Sequence, residues 1–393
     1  MEIVIVGGCG RVGLPLGLAF ASKGVKVCLY DVNEEAVETV NLARMPFAEL
    51  GAAEVLSEVS AAGLLVASSD PSVIADAPTV VLVIGTPVDG HLNPDPQAVP
   101  RAIEGVMDHL VDGQLLVMRS TVYPGVTAMV EKLLEGTGKR LEVVFCPERI
   151  AEGHALTELF ELPQIVSGRS EAAVTRAEEL FTILTDKIVR LTPEEAELAK
   201  LFTNAWRYIK FATANQFYMI ANDFGVDFEN IRTALAYEYP RAQDMPTAGF
   251  TAGPCLFKDT MQLAAFNNNN FMLGHAGMMV NEGLPLYIVS RMEQRFDLPK
   301  MTVGILGMAF KAESDDIRSS LSYKLKQVLG FRANRVLCTD PYVTVDPNLA
   351  PIEQVLAESD LLVVGAPHRC FAGLELKVPV VDIWNLFGNG VRV

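Results

Sequence analysis

Two stretches of this chain hold residues whose types and spacing could do chemistry. The first is Gly8-Cys9-Gly10-Arg11-Val12-Gly13, which follows the apolar run Ile3–Val6 and leads into a helical pattern over Leu14–Lys23. In such a loop the three glycines serve a tight turn, close backbone approach to a pyrophosphate and close packing of helix on strand. The helix N-terminus, with Arg11 and Val12 just before it, adds N–H donors and a positive dipole end for phosphates. A glycine-rich turn alone is a weak signal, but Asp31 ends the next apolar run, Cys28-Leu29-Tyr30-Asp31, where an acid roughly 20 residues on binds ribose hydroxyls. Its carboxylate would repel a 2′-phosphate, so the loop predicts a site for NAD rather than NADP.

The second stretch is Gly253-Pro254-Cys255-Leu256-Phe257-Lys258-Asp259. Cys255 stands just before a helix expected from Lys258, and a helix N-terminus with a cation nearby lowers a thiol pKa. Gly253, Lys258 and Asp259 set Cys255 apart from Cys9, Cys28, Cys146, Cys338 and Cys370, which read as buried apolar filler. Lys200 and Asn204 form a further candidate pair, four residues apart in a helical pattern and therefore on one face.

The elements that must carry these residues follow from periodicity. Strands are expected at Glu2–Val6, Lys26–Tyr30, Thr79–Ile84, Gln114–Met118, Val143–Phe145, Gln164–Gly168 and Ile188–Arg190, alternating with helical patterns as in a parallel sheet covered on both faces. From Thr192 to Phe224 a long helix is predicted, with Pro193 and the following glutamates suited to its N-terminus. Helices over Phe228–Tyr237, Lys258–Phe266 and Gly274–Arg295 complete a helical middle. Strands at Thr302–Phe310, Arg335–Thr339, Leu361–Ala366 and Val378–Ile383 then make a second α/β unit. The expected division is 1–192, 193–299 and 300–393.

Composition narrows the function. At 393 residues the chain is long enough for two or three cores, and its net charge of −16 argues against a broad basic face for nucleic acid. No apolar run approaches the roughly 18 residues of a membrane span, and the N-terminus enters a strand at once, so a cytoplasmic, membrane-free protein is expected. The six cysteines show no Cys-x-x-Cys pair, which fits free thiols in a reducing compartment. His91, His109, His154, His275 and His368 lack metal-ligand spacing, and no metal is expected.

Further blocks bring a family into view. Ser120-Thr121-Val122-Tyr123-Pro124-Gly125, Cys146-Pro147-Glu148-Arg149 and Gly253–Asp259 resemble signatures of the UDP-glucose/GDP-mannose dehydrogenase family. Thr86-Pro87, Glu197-Leu198-Ala199-Lys200 with Asn204, Gly307-Met308-Ala309-Phe310-Lys311 and Asp315-Asp316-Ile317-Arg318 extend the resemblance, in order, over nearly the whole chain. It implies two Rossmann-like doubly wound domains joined by a central helical dimerisation region, the first binding NAD and the last helping to bind the nucleotide of a nucleotide sugar. Only Gly304 and Gly307 stand where the last domain would need its own G-x-G-x-x-G, so no second NAD site is expected.

The implied reaction takes a primary alcohol to a carboxylate with four electrons removed. A Cys255 thiolate would hold the aldehyde as a thiohemiacetal and the product of the second oxidation as a thioester. Lys200 and Asn204 are implied as donors to the developing oxyanion, Asp259 and Thr121 as holders of the hydrolytic water, and Glu148 as a second acid–base group. Thr86, Pro87, Thr121 and Arg318 are implied cofactor contacts. Arg149, Glu152, Gly253, Lys258, Lys311 and Arg241 are implied substrate contacts, Arg241 reaching a neighbouring subunit of a homodimer. Pro254 and Phe257 depart from the commoner Gly-Ser-Cys-Phe-Pro-Lys-Asp pattern, and the last strand ends Asp382-Ile383-Trp384-Asn385 without an arginine many UDP-glucose enzymes carry. Gly-Pro-Cys and Cys-Pro-Glu-Arg look more like the branch acting on UDP-N-acetylhexosamines. A two-electron β-hydroxyacid-type dehydrogenase and a non-catalytic nucleotide-sugar binder remain open readings.

Overall fold

A computed structural model describes every residue except 87 and 90–92, so Pro87 and His91 lie outside the described residues. The chain divides into two compact units, Met1–Thr203 and Asn204–Val393.

In the first unit, β1 (Ile3–Val6), β2 (Val27–Tyr30), β3 (Leu65–Ser68), β4 (Thr79–Leu82), β5 (Leu115–Met118) and β6 (Glu142–Phe145) form one sheet. Its order is β3-β2-β1-β4-β5-β6, and every neighbouring pair is parallel. β1 is flanked by β2 and β4, so the strand order reverses there, and such a reversal opens a crevice beyond the carboxyl ends of the strands. β1, β2 and β5 are buried at all four positions, the mark of a sheet covered on both faces. A separate parallel pair, β7 (Gln164–Ser167) and β8 (Ile188–Leu191), follows. β3 was absent from the expected strands. Leu-Val-Ala-Ser is short and half exposed at this sheet edge, so it carries no strong pattern of its own.

The expected long helix spans Pro193–Phe224. Thr192 and Glu195 close a reciprocal cap: Thr192 N donates to Glu195 Oε2 at 2.8 Å, and Glu195 N donates to Thr192 Oγ1 at 3.4 Å. The helix supplies Pro193–Thr203 to the first unit and Asn204–Phe224 to the second. Along the second part Asn204, Tyr208, Asn215 and Tyr218 are buried at helical spacing, while Trp206, Phe217, Ile220 and Phe224 form an exposed apolar stripe.

The second unit continues with helices Phe228–Ala236, Leu256–Phe266 and Met272–Arg295. β9 (Thr302–Leu306), β10 (Arg335–Thr339), β11 (Leu361–Val364) and β12 (Val380–Val381) then pair in the order β10-β9-β11-β12, again all parallel. The strand expected to reach Phe310 stops at Leu306 because Gly307 takes φ +93°, which turns the chain out of the sheet. Added to Gly307, a Cβ would sit 2.5 Å from the Ala366 carbonyl oxygen, so two backbones pass each other here.

Candidate active site

The glycine loop lies at the carboxyl end of β1, and its glycines divide their labour differently from the expectation. The turn itself falls to Gly7, at φ +74°. A Cβ on Gly8 would meet the Leu29 Cβ at 2.7 Å, and one on Gly13 the Gly7 oxygen at 2.4 Å, so both serve close packing. At Gly10 the nearest atom would be 3.6 Å away, which leaves the loop's outer side open to a ligand's approach. No side chain caps the helix Gly13–Ser22, whose first N–H groups therefore suit an anion. Arg11 packs over the Phe47 ring at 5.0 Å. Asp31 is tied to this loop: Oδ2 accepts from Cys9 N and Oδ1 from Asn33 N, each at 3.0 Å. Each carboxylate oxygen keeps acceptor capacity for a ribose hydroxyl.

The ends of β4 and β5 are stitched together beside the loop's strand. Ile84 N donates to Ser120 Oγ at 2.7 Å, and Thr86 Oγ1 donates to the Thr121 carbonyl at 2.7 Å. Next to Ser120 is Arg119, fully buried, a residue the sequence reading did not single out. Its Nε and Nη2 donate to Glu148 Oε2 at 2.9 and 2.6 Å, Nη1 to the Cys146 carbonyl at 3.0 Å, and Nη2 also to Gln164 Oε1 at 2.9 Å. Its guanidinium lies 4.6 Å from the centre of the Phe181 ring. Glu148 Oε1 meanwhile accepts from Arg149 N at 2.7 Å and Ile150 N at 3.1 Å. Both oxygens of Glu148 are thus engaged in holding the strand end and loop. Arg149 reaches the Pro163 carbonyl, and Glu152 is half-buried in the turn that Glu49 holds through Gly153 N and Ala155 N.

Glu197, on the first turns of the long helix and almost fully buried, was also missed as a positioning group. It accepts from Gly125 N at 2.7 Å, Thr127 N at 2.8 Å and Thr127 Oγ1 at 2.6 Å, capping the helix Val126–Glu135 that follows the Ser120–Gly125 block. A Glu-to-helix-N-terminus contact of this kind satisfies orphan N–H groups and complements the helix dipole. Lys200, one turn further on, is buried.

In the second unit Cys255 is exposed and free of any disulfide, and it is the N-cap residue of Leu256–Phe266, a helix that begins earlier than expected. Asp259 is fully buried one turn along. Asn204 Nδ2 donates to Asp259 Oδ2 at 2.5 Å, and Lys258 Nζ lies 3.0 Å from Oδ1. Gly253 sits at φ +100°, and a Cβ there would fall 2.7 Å from the Phe310 ring. Phe257, where proline is usual, turns its ring edge toward Tyr208 of the long helix at 6.4 Å, so the departure is absorbed as packing. The other thiols differ: burial pushes Cys9 and Cys146 up to about 12, and Cys28 and Cys338 up to about 11. Cys370 departs from the expected buried filler, being exposed.

Of the remaining expected residues, Lys311 lies over the Phe310 ring at 5.6 Å, and Arg318 pairs with the buried Asp316 at 2.6 Å. Arg241 is exposed and stacks on Tyr239 at 5.6 Å. Among the described residues no group of three or more metal-capable side chains occurs, and no helix is long and apolar enough to cross a membrane.

The NAD binding domain of the UDP-glucose/GDP-mannose dehydrogenase family matches residues 1–185, its central domain residues 194–282 and its UDP binding domain residues 304–389. The chain belongs to that family. As a member it is an NAD-dependent oxidoreductase, and the open face of Gly10, the uncapped helix and Asp31 fit the cofactor. A UDP-N-acetyl-D-mannosamine dehydrogenase of Pyrococcus horikoshii is 28% identical, covering 100% of this chain and 93% of that protein. Its Escherichia coli counterpart is 27% identical over 93% of each. The solved UDP-D-ManNAc dehydrogenase of Pyrococcus horikoshii superposes with a TM-score of 0.91, covering 98% of this chain and 96% of that one. For a UDP-glucose dehydrogenase of Pyrobaculum islandicum, 26% identical, the score is 0.90 with 97% and 94% covered.

For this family member the cofactor preference has a direct test. Asp31→Ser removes the charge that a 2′-phosphate would meet, and its NAD-to-NADP ratio of kcat/KM should fall by about tenfold or more. An unchanged ratio would remove Asp31 from the ribose.

Proposed function

We propose that this dehydrogenase oxidises the C6 alcohol of a UDP-linked 2-acetamido-hexose to the carboxylate, in two successive steps through Cys255. The observation that carries the reading is an exposed thiol at a helix N-terminus with a buried, hydrogen-bonded carboxylate one turn away. The relatives named UDP-N-acetyl-D-mannosamine dehydrogenase support the acetamido sugar. The likeness of fold does not choose between sugars, since a UDP-glucose dehydrogenase superposes about as well.

In this reading Gly8, Gly10, Arg11, Val12, Gly13, Asp31, Thr86 and Thr121 of the first unit hold NAD, which when bound accepts the two electrons of each step. Cys255 Sγ adds to the aldehyde carbon, and the resulting thiohemiacetal is oxidised to a thioester without release of the aldehyde. Asp259 then takes a proton from the water that attacks the thioester carbon. The carboxylate product leaves and the Cys255 thiolate is regenerated. Asn204 Nδ2 keeps a second hydrogen beyond the one given to Asp259, and with Lys200 it is suited to donate to the tetrahedral oxyanion, a contribution of about 10²–10³-fold for one such donor. Lys258 Nζ, 3.0 Å from Asp259 Oδ1, supplies positive charge beside that carboxylate. Glu148 is assigned a positioning part, because both of its oxygens are committed to Arg119 and to backbone N–H groups. Lys311, Arg149, Glu152 and Gly253 are the proposed nucleotide-sugar contacts, and Arg318 is a proposed cofactor contact.

Turnover of a panel of UDP- and GDP-sugars, with reduced cofactor counted against acid formed, tests the reaction. Two NADH per sugar on a UDP-acetamido-hexose are expected; one per sugar would replace this reading with the two-electron alternative, and none with a binding protein.

We further propose that the helical region, 193–299, joins two copies of the chain. Trp206 and Phe224 are 61% and 84% exposed on its long helix, and Met279 is 71% exposed on Met272–Arg295, large apolar side chains that a second copy would cover. Arg241, also in this region, is the residue proposed to serve the neighbouring copy. Sedimentation equilibrium at micromolar concentration should give twice the 42.7 kDa chain mass. A single-chain mass overturns the dimer and the role of Arg241 together.

A further inference from the structure

His368, absent from every role assigned above, is fully buried just beyond the carboxyl end of β11. Its ring lies between Tyr342 and Phe371, at 4.9 and 5.4 Å between ring centres. Nδ1 accepts from Glu313 N at 2.9 Å, so that nitrogen carries no proton. Nε2 is 3.0 Å from Asp340 Oδ2, and the proton must therefore sit on Nε2 and be donated to the carboxylate. The same Oδ2 also accepts from Met308 N at 2.6 Å and Ala309 N at 2.9 Å, while Oδ1 accepts from Tyr342 N at 2.8 Å.

The pair thus grips both ends of one short segment. Asp340 holds Met308 and Ala309, and His368 holds Glu313. Glu313 adds a return contact, since its Oε1 accepts from Arg369 N at 2.8 Å and its Oε2 from Tyr342 Oη at 3.0 Å. Between the fixed ends stand Phe310, whose ring fills the space a Gly253 side chain would need, and Lys311, which lies over that ring. Glu313 has φ +55°, an uncommon backbone for a residue with a side chain, so this part of the segment needs outside support to stay as it is.

We propose that His368 is a positioning residue for nucleotide binding: its Nε2–H tautomer, with Asp340, fixes the segment Met308–Glu313 and thereby places Lys311 and Phe310 for the substrate's nucleotide. This rests on the reading that the last section of the chain takes the nucleotide of a UDP-sugar. His368→Leu keeps the bulk of a buried side chain but loses both polar contacts. His368→Gln retains a donor for Asp340, and His368→Asn an acceptor for Glu313 N.

Calorimetric titration of UDP and, separately, of NAD into the full-length protein and these three variants tests the assignment. His368→Leu should weaken UDP about tenfold and leave NAD within twofold, with Gln and Asn falling between it and the wild type. UDP affinity within twofold of wild type for Leu, equal losses for UDP and NAD, or Gln and Asn no better than Leu would each overturn it. Should the Leu variant not fold, the Gln and Asn variants decide the matter, one-sided loss of UDP supporting it and unchanged or equal affinities refuting it. Absence of UDP binding by the wild type would instead sink the underlying functional reading.

Discussion

Alanine at position 255 should lower steady-state acid formation by about 10³-fold or more, the scale on which covalent enzymes lose activity with their nucleophile. Its thiol is exposed at the head of Leu256–Phe266, so removal leaves the core untouched and the loss should appear in chemistry, with the thermal midpoint close to wild type. Cys255→Ser should stall after limited turnover, because an oxygen ester is far less reactive than a thioester. Asp259→Asn separates formation from hydrolysis. With the base removed, the thioester should accumulate, and intact-protein mass spectrometry should show the mass of an acylated sugar nucleotide. That added mass must vanish when Cys255→Ala is combined with it. Undiminished acid production by Cys255→Ala, with two NADH per sugar, would falsify the covalent route whatever the substrate.

The second large effect concerns stability. Arg119→Met should cost about 3–5 kcal/mol, because it strips the partner from a buried carboxylate and leaves Glu148 to hold its charge alone. Four donated hydrogen bonds and a ring contact disappear at once, and the β5 end, the Cys146–Glu148 stretch and Gln164 lose their common anchor. Replacing both members, Arg119→Met with Glu148→Leu, should recover part of the loss, since no orphaned charge remains. Urea unfolding monitored by circular dichroism reads both variants. A single mutant within 1 kcal/mol of wild type would mean that water reaches Glu148 and screens it.

What could be read from the chain alone was mostly local. The loop Gly8–Gly13 and Asp31 lie within one strand–helix–strand unit, and their relation is fixed by about 20 residues of chain. The apolar runs of β1, β2 and β5 are complete enough to show as strands, and Pro193 with the glutamates after it marks the start of the long helix. Gly7 was passed over because its motif role belongs by pattern to Gly8, and only the backbone angle shows which residue makes the turn. Arg119, Glu197 and His368 were illegible for another reason. Arg119 finds Gln164 across 45 positions, Glu197 finds Thr127 across 70 and His368 finds Glu313 across 55, so nothing in their own neighbourhoods signals a partner. A charged residue directly after the buried run Leu115–Met118 was the one available hint of Arg119.

The partition of the six cysteine thiols bears on how this protein meets electrophiles and oxidants. Four thiols are sealed inside, each held protonated by its apolar surroundings, and therefore inert toward alkylating agents and peroxide alike. Cys255 and Cys370 are left to face the solvent, and burial and the Glu313 carboxylate hold even Cys370 toward its protonated form. If Cys255 is the nucleophile proposed above, a mild oxidant would act as a titrant of that one sulfur, silencing turnover by reversible sulfenic acid formation while the fold stays whole. Purification under reducing conditions then determines how much active catalyst a preparation contains, because oxidised molecules would still be folded.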